Sequence, residues 1–185
     1  MKLDTRFFAR AAQEVAADLV GKHLRHGALG GRIVEVEAYL GPEDLASHAR
    51  FGPEGRARPM YGPPGLSYVY LIYGMHDCYN IVTAPDGVAA AVLIRALKPD
   101  PGLGRCDGPG RLTRTLGIDR RHNGLDVTGE LLWVEDRGEP APRVQTTARI
   151  GVDYAGPWAR RRLRYIDANS TQLSKGRSRR GRPAT

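Results

Sequence analysis

The strictest pattern in this sequence is an alternation of apolar and polar side chains between Ile33 and Leu40. A period of two is typical of a β-strand, because successive side chains point to opposite faces of the sheet. The apolar face carries Val34, Val36, Ala38 and Leu40, and the polar face carries Glu35, Glu37 and Tyr39. The pattern therefore predicts a half-buried strand with two carboxylates and one aromatic ring on the same face.

Other segments add a helix, a hairpin and further strands to this one. The predicted helices are residues 10–20 and 111–116, and the other predicted strands are residues 22–25, 67–73, 78–84, 89–97, 131–135 and 144–150. A helix followed mainly by strands with short connections favours an α+β fold with an antiparallel or mixed sheet. Residues 41–66 are rich in Gly, Pro and Arg without periodicity, which predicts a long surface loop.

The chain carries 28 Lys and Arg against 20 Asp and Glu, and the excess is concentrated at one end. From Gly156 onward there are nine basic residues and one acidic residue, Asp167, so this stretch accounts for the whole net charge of +8. Such a block indicates a polyanion, most simply nucleic acid, as partner. We divide the chain into one domain, residues 1–169, and a basic tail, residues 170–185, that is expected to be disordered.

Several classes of protein are disfavoured by what the sequence lacks. The two cysteines, Cys78 and Cys106, have no metal-binding or disulfide-framework spacing, so neither a metal nor a cofactor is expected. No apolar run approaches the roughly 20 residues that span a membrane, and the charged start does not match a signal peptide. We expect a soluble cytoplasmic protein, nucleoid-associated if it is bacterial.

The tyrosines are concentrated around the predicted hairpin. Five of the eight, Tyr61, Tyr68, Tyr70, Tyr73 and Tyr79, fall within nineteen positions. Tyrosines among arginines suit base stacking beside phosphate contacts, although tyrosines also favour strands. The sequence Tyr73-Gly74-Met75 at the hairpin tip would present a bulky wedge to a base step.

The residues alone leave three functions open. A carboxylate near aromatic rings can act as a general base, because partial burial raises its pKa toward working pH. The same glutamates could instead be surface charges of a non-catalytic nucleic-acid-binding module. A third possibility is a metal-dependent nuclease that uses Glu35, Glu37 and Asp44.

Several strings, in order, resemble the alkyladenine (3-methyladenine, methylpurine) DNA glycosylase family. They are Arg32–Asp44, Ser47-His48, Tyr68–Met75, Asn80, Val92–Leu97, Ala148–Val152, Trp158–Arg160 and Leu163-Arg164. The resemblance extends from about residue 6 to residue 166. It implies a single α+β domain with a curved, mainly antiparallel sheet, flanking helices and a hairpin that protrudes into the minor groove.

The resemblance also implies roles for individual residues. Glu37 matches the general base that activates water, and Tyr39, His48 and Tyr70 match residues that line the pocket for the flipped base. Asn80 matches an asparagine that crowds the exocyclic amine of guanine. The DNA-binding residues are expected to be the wedge Tyr73, with Met75, Arg95 and Arg58.

The implied activity is base excision repair by a monofunctional DNA glycosylase. Such an enzyme flips alkylated or deaminated purines (the 3-methyladenine, 7-methylguanine and hypoxanthine class) out of duplex DNA and hydrolyses the N-glycosidic bond, which leaves an abasic site. A lyase activity needs an amine nucleophile, and the four lysines lie outside the catalytic strings. We expect a monomer that acts on double-stranded DNA containing damaged purines.

Overall fold

A computed structural model describes residues 1–176 as one α+β domain built on a curved antiparallel sheet. The α-helices are α1 (Thr5–Phe8), α2 (Ala12–Leu19) and α3 (Pro109–Leu116), and four 3₁₀ segments span His48–Phe51, Gly55–Tyr61, Arg120–His122 and Asp153–Arg160. The strands are β1 (His23–His26), β2 (Leu29–Tyr39), β3 (Ser67–Ile72), β4 (His76–Val82), β5 (Ala91–Pro99), β6 (Leu132–Glu135), β7 (Val144–Thr147) and β8 (Arg164–Asp167). The predicted fold class is confirmed.

The strand order places β2 near the middle of the sheet. The main path is β3-β4-β5-β2-β1-β6, and β8 joins β2 to β7. On one side β2 pairs with β5, and on the other it pairs first with β1 and then, from Glu35 to Glu37, with β8. Strand β2, which carries Glu35 and Glu37, is therefore flanked by other strands on both edges.

The apolar face of β2 lies on the main core, which also contains residues from α2 and α3. Val36 and Ala38 pack in one cluster with Val15 and Leu19 of α2 and with Leu112 of α3, all with 0–2% of their surface exposed. Helix α2 agrees with the predicted helix, and Gly21 follows it at a φ of 97°, a left-handed conformation that suits glycine after a helix end.

The prediction of a half-buried β2 was wrong, because its polar face is buried as well. Glu35 and Glu37 each have 0% of their surface exposed. Buried carboxylates require partners, and here guanidinium groups from β5, β8 and the loop before Val152 cover this face.

The register between β2 and β5 shifts on both sides of Glu35. Ile33 pairs with Leu97 and Glu35 with Ala96, whereas Val36 pairs with Ile94. Val34 and Arg95 are consequently skipped in the ladder. Such bulges redirect side chains, and this one brings Arg95 between the two glutamates.

The segment 41–66 is only in part the surface loop that its composition predicts, because some of its residues are buried. It contains two 3₁₀ segments, and Asp44, Ala49 and Met60 within it are at most 2% exposed. The hairpin prediction is confirmed, with β4 beginning two residues earlier than expected, at His76. Strand β8 was missed because its four residues are too short for a periodic pattern to be seen.

The predicted tail begins with residues that pack on the domain. Ser174 is 7% exposed and donates hydrogen bonds to Glu35. The segment up to Ser174 thus packs on the domain, whereas residues 177–185, with all four of the tail's arginines, lie outside the described residues. Within residues 1–176, no helix is long and apolar enough to cross a membrane.

Candidate active site

The side chain of Glu37 lies in a socket of hydrogen-bond donors. Its Oε1 accepts from the backbone amide of Ile150 at 2.8 Å, and its Oε2 accepts from the hydroxyl of Tyr39 at 2.9 Å. The Nη1 atom of Arg95 lies 3.4 Å from Oε2. A carboxylate has about four acceptor positions. Among the described residues, these two hydrogen bonds and the ion pair with Arg95 hold the Glu37 carboxylate.

Tyr39 keeps its proton in this environment. Burial, followed by the nearby charge of Glu37, raises the pKa of the Tyr39 phenol well above its usual value. The hydroxyl is therefore a donor over the whole working pH range, and it fixes the orientation of the Glu37 carboxylate.

Arg95 joins the two buried glutamates. Its Nε donates to Glu35 at 3.0 Å, while Nη1 faces Glu37. Glu35 also accepts from the Nε of Arg164 at 2.7 Å. Burial acts against the charge of Arg95, but Glu37 and Glu35 outweigh it and raise the pKa of Arg95. Arg95 thus stays charged and holds both carboxylates.

A second buried ion pair supports the residue that hydrogen-bonds to Glu37. Arg149 forms a two-pronged contact with Asp44, at 2.6 and 2.8 Å, and both side chains are 0% exposed. Arg149 also donates to the backbone oxygen of Ala38 at 2.9 Å and lies over the ring of Tyr39. Because Ile150 follows Arg149, this ion pair positions the amide that hydrogen-bonds to Glu37.

Aromatic rings lie next to Glu37, with Tyr70 and His48 half-buried and Tyr68 buried. The rings of His48 and Tyr70 meet edge-to-face with centroids 4.6 Å apart, and Tyr68 lies 5.3 Å from Tyr70. The guanidinium of Arg56 lies 5.8 Å from the Tyr70 ring. Flat rings next to a positive side chain form a surface on which a purine can stack.

His48 is uncharged at neutral pH. Its Nδ1 lies 2.8 Å from the hydroxyl of Tyr68. Burial, followed by the charges of Arg56 and Arg50, lowers the pKa of His48 to about 4. A neutral imidazole can both donate and accept hydrogen bonds, which suits recognition of a base edge.

Asn80 is fixed by its own hairpin. It is 3% exposed, and its amide nitrogen donates to the backbone oxygen of Tyr68 at 3.0 Å and to that of Cys78 at 3.4 Å. These bonds hold the Asn80 side chain in one orientation.

The hairpin tip is exposed. Tyr73 and Met75 have 66% and 65% of their surface accessible. Tyr73 and Gly74 both have positive φ, 53° and 67°, and the amide of Met75 donates to the oxygen of Ile72. This is a tight hairpin turn in which a bulky residue adopts a conformation that costs energy, and such outliers concentrate at functional sites. Arg58 is exposed in its 3₁₀ segment.

The structure brings some of the predicted residues together and separates others. Glu37, Tyr39, His48 and Tyr70 lie together, and Asn80 is buried beside Tyr68. Tyr73 and Met75 lie at the hairpin tip, Arg58 is exposed in its 3₁₀ segment, and Arg95 is buried beside Glu37 rather than presented on the surface. Sequence reasoning missed the supporting set: Arg149, Ile150, Arg164 and Ser174. The first three fall inside strings that carry the resemblance, but no local pattern shows their contact with β2.

The carboxylates named for a metal-dependent nuclease are engaged with guanidinium groups instead. Asp44 pairs with Arg149, and Glu35 pairs with Arg95 and Arg164. Within residues 1–176, no group of three or more His, Cys, Asp or Glu side chains is arranged to hold a metal ion.

Comparison with known proteins gives one consistent result. A family model described as methylpurine-DNA glycosylase matches residues 6–171. A protein of Anaeromyxobacter sp. (strain Fw109-5) is 51% identical over 181 residues, which cover 95% of this chain and 93% of that protein. A protein of Myxococcus xanthus (strain DK1622) is 47% identical over 183 residues, which cover 94% of each. Both relatives carry the name "Putative 3-methyladenine DNA glycosylase".

Proposed function

The chain belongs to the methylpurine-DNA glycosylase family, and from that premise we propose that it excises alkylated and deaminated purines with a water molecule activated by Glu37. The substrates are duplexes that contain 3-methyladenine, 7-methylguanine or hypoxanthine. The product is an abasic site, and the enzyme acts as a monomer on DNA.

The observation that supports this proposal most directly is the socket around Glu37. Two hydrogen bonds and the ion pair with Arg95 orient the carboxylate, and a carboxylate oxygen of Glu37 takes the proton of a water molecule. The water oxygen attacks C1′ of the sugar as the bond to the base breaks, and Glu37 receives the proton. The negative charge of Glu37 also stabilises the positive charge that develops on the sugar.

The flipped base is held by the half-buried rings. Tyr39, His48 and Tyr70 offer stacking faces, and neutral His48 offers a hydrogen bond. Glu37 has no exposed surface, so entry of a nucleotide requires these side chains to move apart. Extrusion of a base costs a few kcal/mol, and damaged or mispaired bases cost least, which contributes to selectivity.

The hairpin tip fills the gap that the flipped nucleotide leaves. Tyr73 and Met75 are exposed on a tight turn at the end of β3, three residues beyond Tyr70 in the pocket. A large side chain inserted between base pairs retains stacking for the neighbours of the extruded base. Arg58 and Arg56 provide positive charge for the phosphates.

Leaving-group chemistry sets how strongly each lesion depends on Glu37. Purines alkylated at N3 or N7 are cationic and leave readily as neutral bases. Hypoxanthine is neutral and leaves less readily, so its excision depends more on the activated water. This difference gives the proposal a test with an internal comparison.

The test is Glu37→Gln, with Glu43→Gln as the control because Glu43 is an exposed carboxylate six residues away. We expect single-turnover excision of hypoxanthine to fall roughly 10²- to 10⁴-fold in Glu37→Gln, with lesion binding comparable to that of the unaltered protein. Glu43→Gln should retain full activity. Excision at the unaltered rate in Glu37→Gln would remove Glu37 from the mechanism.

The same assay separates the alternative functions when a chelator is present. Release of free base with strands that break only after hot alkali supports a monofunctional glycosylase. Strand breakage abolished by the chelator supports a nuclease. Binding without base release supports a non-catalytic module.

A further inference from the structure

Ser174 lies beyond residues 6–171, the part of the chain that the family model matches, and yet it is inserted beside the candidate active site. It is 7% exposed, whereas the next residue, Lys175, is exposed. A serine in a strongly polar, basic stretch is ordinarily solvated, so its burial needs a reason.

The hydroxyl of Ser174 uses its full bonding capacity on two residues. It donates to Oε1 of Glu35 at 2.7 Å and accepts from Nε and Nη2 of Arg95 at 3.2 and 3.1 Å. The backbone amide of Ser174 donates to Oε2 of Glu35 at 2.6 Å. Ser174 therefore provides partners for two acceptor oxygens of Glu35 and two donor nitrogens of Arg95, which are buried together.

Ser174 is the acceptor that fixes one edge of the Arg95 guanidinium. Nε is shared between Glu35 and Ser174, Nη1 faces Glu37, and Nη2 donates to Ser174. Without the hydroxyl, Nη2 becomes a donor without an acceptor among the described residues. Since the Arg95 side chain is 9% exposed, an unpaired donor there is costly. The guanidinium would rotate to recover a partner, and Nη1 would leave Glu37.

We propose that Ser174 is a positioning residue for excision, which acts on Glu37 through Arg95. This inference rests on the proposed role of Glu37 as general base. Ser174 does not contact Glu37 in the hydrogen bonds of the described residues; its effect is transmitted by the orientation of Arg95.

Positioning predicts an effect that depends on the lesion. Loss of the Ser174 hydroxyl loosens the socket of Glu37 and weakens activation of the water. Excision of neutral hypoxanthine then falls more than excision of cationic 7-methylguanine, which needs less help. A purely structural defect instead lowers the fraction of active enzyme and reduces both rates by the same factor.

The experiment compares Ser174→Ala, Ser174→Thr and Ser170→Ala in the full-length chain. Ser174→Thr retains the hydroxyl. Ser170→Ala removes a hydroxyl from the same segment, whose hydrogen bond within residues 1–176 is accepted from the backbone amide of Gln172. We expect Ser174→Ala to lose about tenfold in single-turnover excision of hypoxanthine and less than threefold for 7-methylguanine, with unchanged lesion affinity. Ser174→Thr should retain most activity, and Ser170→Ala all of it.

A double variant tests the route through Glu37. In a Glu37→Gln background, adding Ser174→Ala should cause no further loss on hypoxanthine. An equal loss on both lesions, a persistent loss in that background, or no loss at all would each overturn the inference. If Ser174→Ala does not fold, Ser174→Cys is used, because the thiol nearly matches the hydroxyl in size and bonds only weakly. It must show the same selective loss.

The two proposals fail in different ways. If Glu37→Gln alone leaves hypoxanthine excision intact, the proposed function fails first. If Glu37→Gln is inactive while Ser174→Ala matches the unaltered protein on both lesions, only the role of Ser174 is lost.

Discussion

The substitution Asp44→Asn tests whether the buried ion pair with Arg149 holds this part of the fold. Asp44 accepts four hydrogen bonds, two from Arg149 and one each from the backbone amides of Leu40 and Ala46. Asparagine has nearly the same shape, but its NH₂ group is itself a donor and would face the donors of Arg149 or the backbone amides. The substitution therefore removes acceptors and leaves the charge of Arg149 buried without a counter-ion.

The expected loss of stability is large. Breaking a fully buried ion pair by neutralising one partner costs about 3–5 kcal/mol, a large share of the 5–15 kcal/mol that stabilises a typical domain. For a chain of this size the melting temperature should drop by about 6–20 °C. Excision should also slow, because Arg149 precedes the amide that hydrogen-bonds to Glu37.

The measurement is urea denaturation followed by circular dichroism, with the slope m checked for constancy. Asp86→Asn is the matched control, because Asp86 lies on an exposed turn and should change stability by less than about 0.5 kcal/mol. The double variant Asp44→Asn with Arg149→Met should recover most of the loss, because the unpaired charge is then gone. A loss below about 1 kcal/mol, or a double variant weaker than the single one, would refute this reasoning.

Three further predictions concern the pocket and the hairpin. Tyr73→Ala should reduce the fluorescence change of a reporter base on flipping more than it reduces DNA binding; an unchanged flipping equilibrium would contradict the wedge role. Asn80→Ser should make guanine opposite thymine a slow substrate, by roughly tenfold or more over the unaltered protein, and continued rejection would place selectivity elsewhere. His48 has a pKa of about 4 when folded and about 6.5 when unfolded, so the unfolded chain binds the proton more readily. Stability should fall as pH drops from about 6.5 toward 4, and His48→Gln should flatten this dependence in urea titrations; an unchanged slope would count against a buried neutral histidine.

The features of the site that could be predicted are those that a local sequence pattern specifies. Alternation placed Glu35, Glu37 and Tyr39 on one face of β2, and the Tyr-Gly-Met string placed Tyr73 at a hairpin tip. These features depend on backbone geometry over a few residues, so neighbouring letters are sufficient to specify them.

The location of Arg95 could not be predicted in the same way. In a regular strand pairing, Arg95 would have a partner residue on β2. The register shift beside Glu35 leaves Arg95 without one, and no pattern in the sequence of β5 indicates that shift. The resemblance assigns Arg95 to a DNA contact, and that assignment stays a prediction. In the structure the Arg95 side chain is buried between Glu35 and Glu37.

The sequence by itself determined the fold class, the strand that carries Glu37 and the motifs that resemble the glycosylase family. Only the tertiary structure decided that the charged face of that strand is buried. Its partners arrive from 60, 113 and 139 residues away, at Arg95, Ile150 and Ser174. Periodicity reports which side chains share a face, but not what covers that face. From the sequence alone, a glutamate on the polar face of a strand is expected to be solvated. In the folded chain, distant donors reach its carboxylate, and their hydrogen bonds offset the cost of removing it from water.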